Sequence, residues 1–236
     1  MKKIIIVSNR LPLKVEKNEK SIIFTPTSGG LATGLKSIHE SDNALWIGWP
    51  GVEKEELDDS QLDEIQQSLR EMNFKPVHLS DKQVEDFYLG LSNKSIWPLF
   101  HYFKQNVVFD ESQWNSYVQV NEQFAQSIIE EISPGDTLWI HDYQLMLVPE
   151  LIRKQVPDVT IGFFLHIPFP SYEIFRIFPK RQEILSGLIG SDLIGFHTYD
   201  YQRHFLSSIK RILHLEVNFN TINNKGREVV VNTFPM

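Results

Sequence analysis

The 236-residue chain has no cysteine. That excludes a disulfide scaffold and thiolate chemistry, and it suits a reducing cytosol. Long apolar runs are missing too. The opening MKKIIIVSNRLP holds four consecutive apolar residues, far short of a signal-peptide core or a membrane span. Positive charge is scarce: 23 Lys and Arg stand against 30 Asp and Glu, for a formal charge of −7 and a pI near 5.6. Nucleic acid and anionic membranes are therefore poor partners, since their phosphates are met by clustered Lys and Arg. The eight histidines lack zinc-ligand spacing, so no metal site is expected.

What remains is an ordinary globular composition, 42% hydrophobic and 22% charged, with 16 Phe and 5 Trp to fill a core. Apolar, β-rich runs at Lys3–Val7, Thr137–Ile140, Thr160–Leu165 and Asp192–Phe196, with a weaker one at Ala44–Ile47, read as strands buried on both faces. Helix-period stretches at Leu57–Met72, Trp114–Ile132, Gln144–Gln155 and Tyr199–Leu213 lie between them. The alternation predicts one α/β domain, a doubly wound Rossmann-like parallel sheet. Leu13–Phe24 alternates Val, Ile and Phe around Lys-Asn-Glu-Lys, the pattern of an inserted β-hairpin, and Arg227–Phe234 reads as one more strand. Glu53–Glu64 is an acidic, solvated helix start.

Ligands of open α/β sheets bind at the carboxyl ends of strands. Arg10, in Ser8-Asn9-Arg10-Leu11-Pro12 after the first strand, could hold a phosphate there; otherwise it is a surface Arg in a turn. Gly29 and Gly30 open a helix in Ser28-Gly29-Gly30-Leu31, where backbone N–H groups could approach an anion, or they form a plain tight turn. The spacing is neither a dinucleotide fingerprint nor a Walker A loop, which weakens a nicotinamide-dependent oxidoreductase reading. Asp142, in Trp139-Ile140-His141-Asp142-Tyr143, suits sugar hydroxyls and can also cap the next helix; adjacent His141 and Asp142 on a strand make a poor chelate. His166 sits before Pro168 and Pro170, which fix the backbone behind it, so its ring could meet a sugar hydroxyl or a developing charge. Tyr88 and Trp97 are either core or the wall of a sugar pocket.

Taken together these strings resemble family 20 of the glycosyltransferases, the trehalose-6-phosphate synthases. The likeness rests on Val7–Pro12, Gly29–Ala32, Trp46–Gly51, Leu91–Asn93, Trp97–His101, Trp139–Leu145, Gly162–Pro170, Glu173–Arg176 and Gly195–Thr198, in the family's order over nearly the whole chain. It implies the amino-terminal half of a GT-B fold and transfer of glucose from UDP-glucose to glucose 6-phosphate, with retention. It also implies no cofactor or metal, a cytoplasmic enzyme, and room for a homo-oligomer. By motif, Arg10 is expected on the acceptor phosphate, with Tyr88, Trp97 and Asp142 around the acceptor sugar. Gly29 and Gly30 are expected at the donor diphosphate, and Asp142 and His166 near the reacting centre, His166 against the donor glucose. The family's Arg-Leu-Asp-Tyr-x-Lys-Gly string, which faces the donor phosphates, does not occur in these residues. The resemblance thus implies a further, carboxyl-terminal nucleotide-sugar domain, and an isolated chain that does not turn over. The alternative is a non-catalytic sugar-phosphate-binding regulatory module of the same fold.

Overall fold

The computed structural model describes residues 2–18, 21–27, 29–40 and 43–235. Ser28, which heads the glycine motif, and Glu19 and Lys20, within the segment expected as a hairpin, lie outside them. Strand β1 (Ile4–Arg10) leads into the hairpin β2 (Leu13–Asn18) and β3 (Ser21–Pro26), then helix α1 (Gly30–His39), β4 (Ala44–Trp49), α2 (Asp59–Glu71) and β5 (Phe74–Pro76). One helical run follows, α3 (Asp81–Gln83), a π-helix at Val84–Ile96 and α4 (Trp97–Phe100), before the long α5 (Glu111–Ile129). Next come β6 (Thr137–His141), α6 (Val148–Gln155), β7 (Thr160–Phe164), α7 (Tyr172–Phe175), α8 (Arg181–Leu188) and β8 (Leu193–Phe196). Helix α9 (Tyr199–Ser208) runs into a π turn, and β9 (Val217–Asn218), β10 (Thr221–Asn224) and β11 (Arg227–Thr233) close the chain.

The main sheet has the order β5-β4-β1-β6-β7-β8-β11-β10-β9, parallel from β5 to β11 and antiparallel at β10 and β9. Without the hairpin, the first six of these strands follow the doubly wound order 3-2-1-4-5-6, which reverses direction between β1 and β6. A crevice for ligands opens at the carboxyl ends of those two strands.

The strand pleat divides the core. Ile5 and Val7 point to one face, among Leu138, Ile140 and the α5 side chains Tyr117, Val120 and Phe124. Ile6 and Trp46 point to the other, among Leu35 of α1, Ile65 and Leu69 of α2, and Leu13 and Val15 of the hairpin. The expectation of strands buried on both faces holds for β1 and β4 and fails farther along. Over β6, β7 and β8 the second face, with Trp139, Gly162, Phe164 and Gly195, borders a cavity of about 890 Å³ that has α1 as its other wall. Leu193 and Phe234 line this cavity and remain 38% and 41% exposed.

Helix α8 is held against the start of α6 by close backbone approach. A Cβ on Gly190 would lie 2.5 Å from the Cα of Glu150 and from the carbonyl carbon of Pro149, both main chain with no freedom to swing away. Gly190→Ala should therefore cost about 1–3 kcal/mol or more, as overpacking does, lowering Tm by at least ~2–4 °C. Thermal unfolding followed by circular dichroism checks this, and an unchanged Tm would show that the two helices part easily.

Candidate functional site at the carboxyl ends of the strands

The end of β1 is shaped by a small side-chain relay. Ser8 Oγ donates to the Arg10 carbonyl at 2.8 Å and accepts from Trp46 Nε1 at 2.8 Å. The ladder with β4 shifts register between Val7 and Arg10, so the strand end turns outward. Arg10 is exposed there, its guanidinium 5.4 Å from the centre of the Trp49 ring, a cation–π placement. Trp49 in turn lies 6.2 Å from Tyr88. Tyr143 continues this wall: its hydroxyl donates to Asn93 Oδ1 at 2.9 Å, and burial with Asp142 and Tyr88 nearby pushes its ionisation well above the ordinary range. Tyr88 and Asn93 both project from the π-helix, whose wider turns place them unlike an α-helix of the same sequence.

Trp97 stands apart. Its ring stacks on His101 at 4.0 Å and on Phe103 at 6.2 Å, it is 39% exposed, and its ring contacts do not include the Arg10–Tyr88 wall. One helical run carries both Tyr88 and Trp97, but the two occupy different aromatic groups.

Asp142 follows β6 with φ 74° and ψ 169°, a region of backbone space used almost only by glycine. The strain, on the order of 1–3 kcal/mol, is held in place by three bonds. The Asp142 amide donates to the Phe164 carbonyl at 2.8 Å, and Asp142 Oδ1 accepts from the amides of Tyr143 at 3.0 Å and His166 at 3.2 Å. Burial pushes the carboxyl up to about 6, against the pull of those two amides. Helix α5 steadies the turn beyond. Tyr117 donates its hydroxyl proton to the Tyr143 carbonyl at 2.7 Å, while Asn121 bonds the Gln144 carbonyl at 3.0 Å and the Leu147 amide at 3.1 Å.

His166 follows β7, and the loop behind it is pinned by Phe169. That ring is fully buried among Phe100, Phe175, Phe196 and Phe205 at 4.9–6.0 Å. His166 Nε2 lies 3.0 Å from Nδ1 of His141, and the His197 ring is 5.6 Å away. Burial pulls His141 down to about 3 and His166 down to about 4, each lowered further by a neighbouring imidazole. Both rings are therefore neutral at pH 7. Among the described residues, no group of three or more His, Cys, Asp or Glu is placed to hold a metal ion.

An unfolded histidine binds its proton below about 6.5, whereas folded His141 waits until about 3, so stability is complete above pH 6.5 and is lost as pH falls. The loss is ~1.4 kcal/mol per pH unit while only the unfolded state is protonated. His141→Phe should flatten the acid limb of stability by about one proton between pH 6 and 4. Urea midpoints against pH measure it, and taking the difference from wild type cancels the opposing contribution of Asp142.

Gly29 caps α1 and Gly30 begins it, with Gly30 lining the cavity that His141, Asp142 and His166 also border. A Cβ at either glycine would meet nothing within 4 Å, so the chain's own packing does not require glycine there. Among the described residues no side chain caps α1, as is also true of α6, α7 and α8, whereas Asp58, Asp110 and Thr198 accept from the first amides of α2, α5 and α9. The first N–H groups of α1 are left for another acceptor. The structure thus brings Gly30, Asp142 and His166 to one cavity, and Arg10 and Tyr88 to one wall joined to Asp142 through Tyr143. The sequence reading passed over Trp49, Asn93, Tyr117, Asn121 and Tyr143. Trp49, Asn93 and Tyr143 do carry a signal, since all three fall within the strings that bear the family likeness, and Tyr143 also adjoins Asp142 in a strand-end motif.

A sheet of doubly wound order, with cationic, carboxylate and imidazole groups at its carboxyl edge, is a Rossmann-like domain with a ligand crevice, and its likeness to solved trehalose-phosphate synthases makes it the amino-terminal half of a GT-B fold. The model of the family described as Glycosyltransferase family 20 matches residues 2–236, and the chain belongs to that family. It is similar to the Saccharomyces cerevisiae alpha,alpha-trehalose-phosphate synthase [UDP-forming] 56 kDa subunit, with 44% identity over 241 residues, 99% of this chain and 48% of that one. The Dictyostelium discoideum synthase A is 46% identical over 235 residues, 99% of this chain and 32% of that one. Among solved structures, a UDP-forming synthase from Burkholderia vietnamiensis superposes with a TM-score of 0.82 at 28% identity, covering 100% of this chain and 48% of that one. The amino-terminal domain of a Candida albicans trehalose-6-phosphate phosphatase gives 0.86 at 32%, with coverage of 100% and 48%. The chain spans about a third to a half of the length of these relatives. Among the described residues no helix is long and apolar enough to cross a membrane.

Proposed function

We propose that the protein transfers glucose from UDP-glucose to glucose 6-phosphate, giving α,α-trehalose 6-phosphate and UDP in the cytoplasm, and that this chain is the acceptor-side domain. In that reaction the bond between the donor anomeric carbon and the diphosphate oxygen breaks, and UDP leaves with the electron pair. The acceptor's anomeric oxygen forms the new bond and gives up its proton, with retention at the donor carbon. Arg10, backed by Trp49, reads the acceptor phosphate, and Tyr88, Trp97 and Asp142 line the acceptor sugar pocket, Trp97 from its separate aromatic group. The amides at Gly29 and Gly30 face the donor diphosphate, and His166 meets the donor glucose near the reacting carbon. No metal is called on, because helix ends and side-chain cations stabilise the leaving charge. Those cations belong to a second domain, so the isolated chain binds without turning over.

The observation that carries this reading is the strained Asp142 between the Arg10 wall and the His166 cavity, in a chain 44% identical to the yeast synthase subunit. The likeness to a phosphatase's amino-terminal domain favours a second reading, a regulatory module that binds the sugar phosphate without catalysis. Assay of the complete gene product separates the two. A synthase releases UDP from UDP-glucose only when glucose 6-phosphate is present, whereas a module binds glucose 6-phosphate and releases none. On the 236-residue chain itself, calorimetry should rank glucose 6-phosphate above UDP-glucose; the reverse order would overturn the acceptor-side assignment.

A further inference from the structure

His141 is 1% exposed and has two ring nitrogens to satisfy. Nδ1 lies 3.0 Å from His166 Nε2, while Nε2 is buried with no hydrogen-bond partner among the described residues. The Trp139 ring, whose centre lies 5.0 Å from that of His141 and which is tilted by 42°, offers only an indole N–H and no nitrogen or oxygen acceptor. Two neutral imidazoles joined by one hydrogen bond allow two arrangements. If His166 donates from Nε2, then His141 accepts at Nδ1 and must carry its own proton on Nε2, leaving a buried N–H with no acceptor. If His141 donates from Nδ1, its Nε2 is a bare lone pair, and His166 must carry its proton on Nδ1. Orphaned buried donors are rarer in folded proteins than under-satisfied acceptors, so the second arrangement is favoured.

We infer that His141 is a positioning residue that locks His166 in its Nδ1–H tautomer, so that His166 meets its ligand as a hydrogen-bond donor and not as a base. The preference runs against the tautomer a free histidine side chain favours in water, Nε2–H, so a protein contact must impose it. His141 is well placed to impose it. Its backbone belongs to β6, in register opposite Phe164 of β7, two residues before His166. The Asp142 carboxylate fixes the His166 main chain through its amide, so both ends of His166 are held by the one dipeptide His141-Asp142. An Nδ1–H donor fits a sugar oxygen on the donor glucose and leaves no basic nitrogen to deprotonate it.

The inference gives a purpose to the role proposed for His166, but its test needs no substrate, so the two can fail separately. Nitrogen-15 spectra of the histidine rings in the 236-residue chain at pH 7 report which nitrogen is protonated. Wild-type His166 should show Nδ1 protonated and Nε2 bare. In His141→Phe, which keeps the ring shape and removes the donor, His166 should revert to the Nε2–H form. His141→Asn, whose amide N–H reaches the place of Nδ1, should restore the Nδ1–H form. A wild-type His166 protonated on Nε2 overturns the inference even if neither variant folds. A tautomer unchanged in a folded His141→Phe overturns it as well.

Discussion

Arg10→Ala in the complete enzyme should raise KM for glucose 6-phosphate ten- to a hundredfold and leave KM for the nucleotide sugar almost unchanged. The guanidinium is exposed at the end of β1, sits 5.4 Å from the centre of the Trp49 ring, and the Arg10 carbonyl is held by Ser8. Losing one charge-assisted contact to a phosphate costs ~1.5–3 kcal/mol, which is that range of affinity. Packing sharpens the test. Gly51 has φ +84°, and a Cβ there would lie 2.7 Å from Arg10 Nε, so Gly51→Ala should displace the guanidinium from Trp49 without removing it. It should move KM in the same direction by a smaller factor. The decisive comparison is between glucose 6-phosphate and glucose. If Arg10→Ala still prefers the phosphorylated sugar as strongly as wild type, the phosphate is read elsewhere.

The strands that build this site were legible because strands of a parallel sheet are apolar on both faces, and so form continuous apolar runs, whether or not a helix covers each face. Lys3–Val7 became β1, Thr137–Ile140 β6 and Thr160–Leu165 β7, each within a few residues. Candidate residues followed from one rule, that ligands sit beyond the carboxyl ends of such strands, and Arg10, Asp142 and His166 all fall there. Less could be read where structure departs from a simple period. The π-helix at Val84–Ile96 departs from the 3.6-residue period by which helices are read, so the separation of Trp97 from Tyr88 is not legible in the sequence. Strands β5, β9 and β10 are 2–4 residues long, too short for alternation to show. The cavity beneath β6–β8 could not be read either, because an apolar face looks the same in sequence whether a helix covers it or not. By its sequence neighbours His141 suggests only a metal pair with Asp142, and pairing it with His166 requires knowing that β6 and β7 are neighbours.

Asp142 offers the test in which stability and function move in opposite directions. Its folded carboxyl ionises near 6 and its unfolded one near 3.9, so between those values the folded state holds the extra proton. Stability contributed by this group is greatest below pH 4, falls as pH rises to 6, and stays low at pH 7. Asp142→Asn keeps an oxygen for the Tyr143 and His166 amides and removes the charge. It should be more stable than wild type by about 1–2 kcal/mol at pH 7, after allowance for the side of the carboxyl that faces the cavity, and equal to it below pH 4. Activity of the complete enzyme should nevertheless fall at least ~100-fold, the loss typical of a group that meets the reacting sugars. The backbone supplies a second, independent comparison. Asp142→Ala and Asp142→Gly both lose the two amide bonds, but only glycine is at ease at φ 74°, so the Gly variant should be more stable than the Ala variant by ~1–3 kcal/mol. Denaturant unfolding of the three variants at pH 4 and pH 7 gives both differences. Equal stability of the Ala and Gly variants would remove the strain, and an Asn variant destabilised at pH 7 would show that the carboxylate serves the fold and not the reaction.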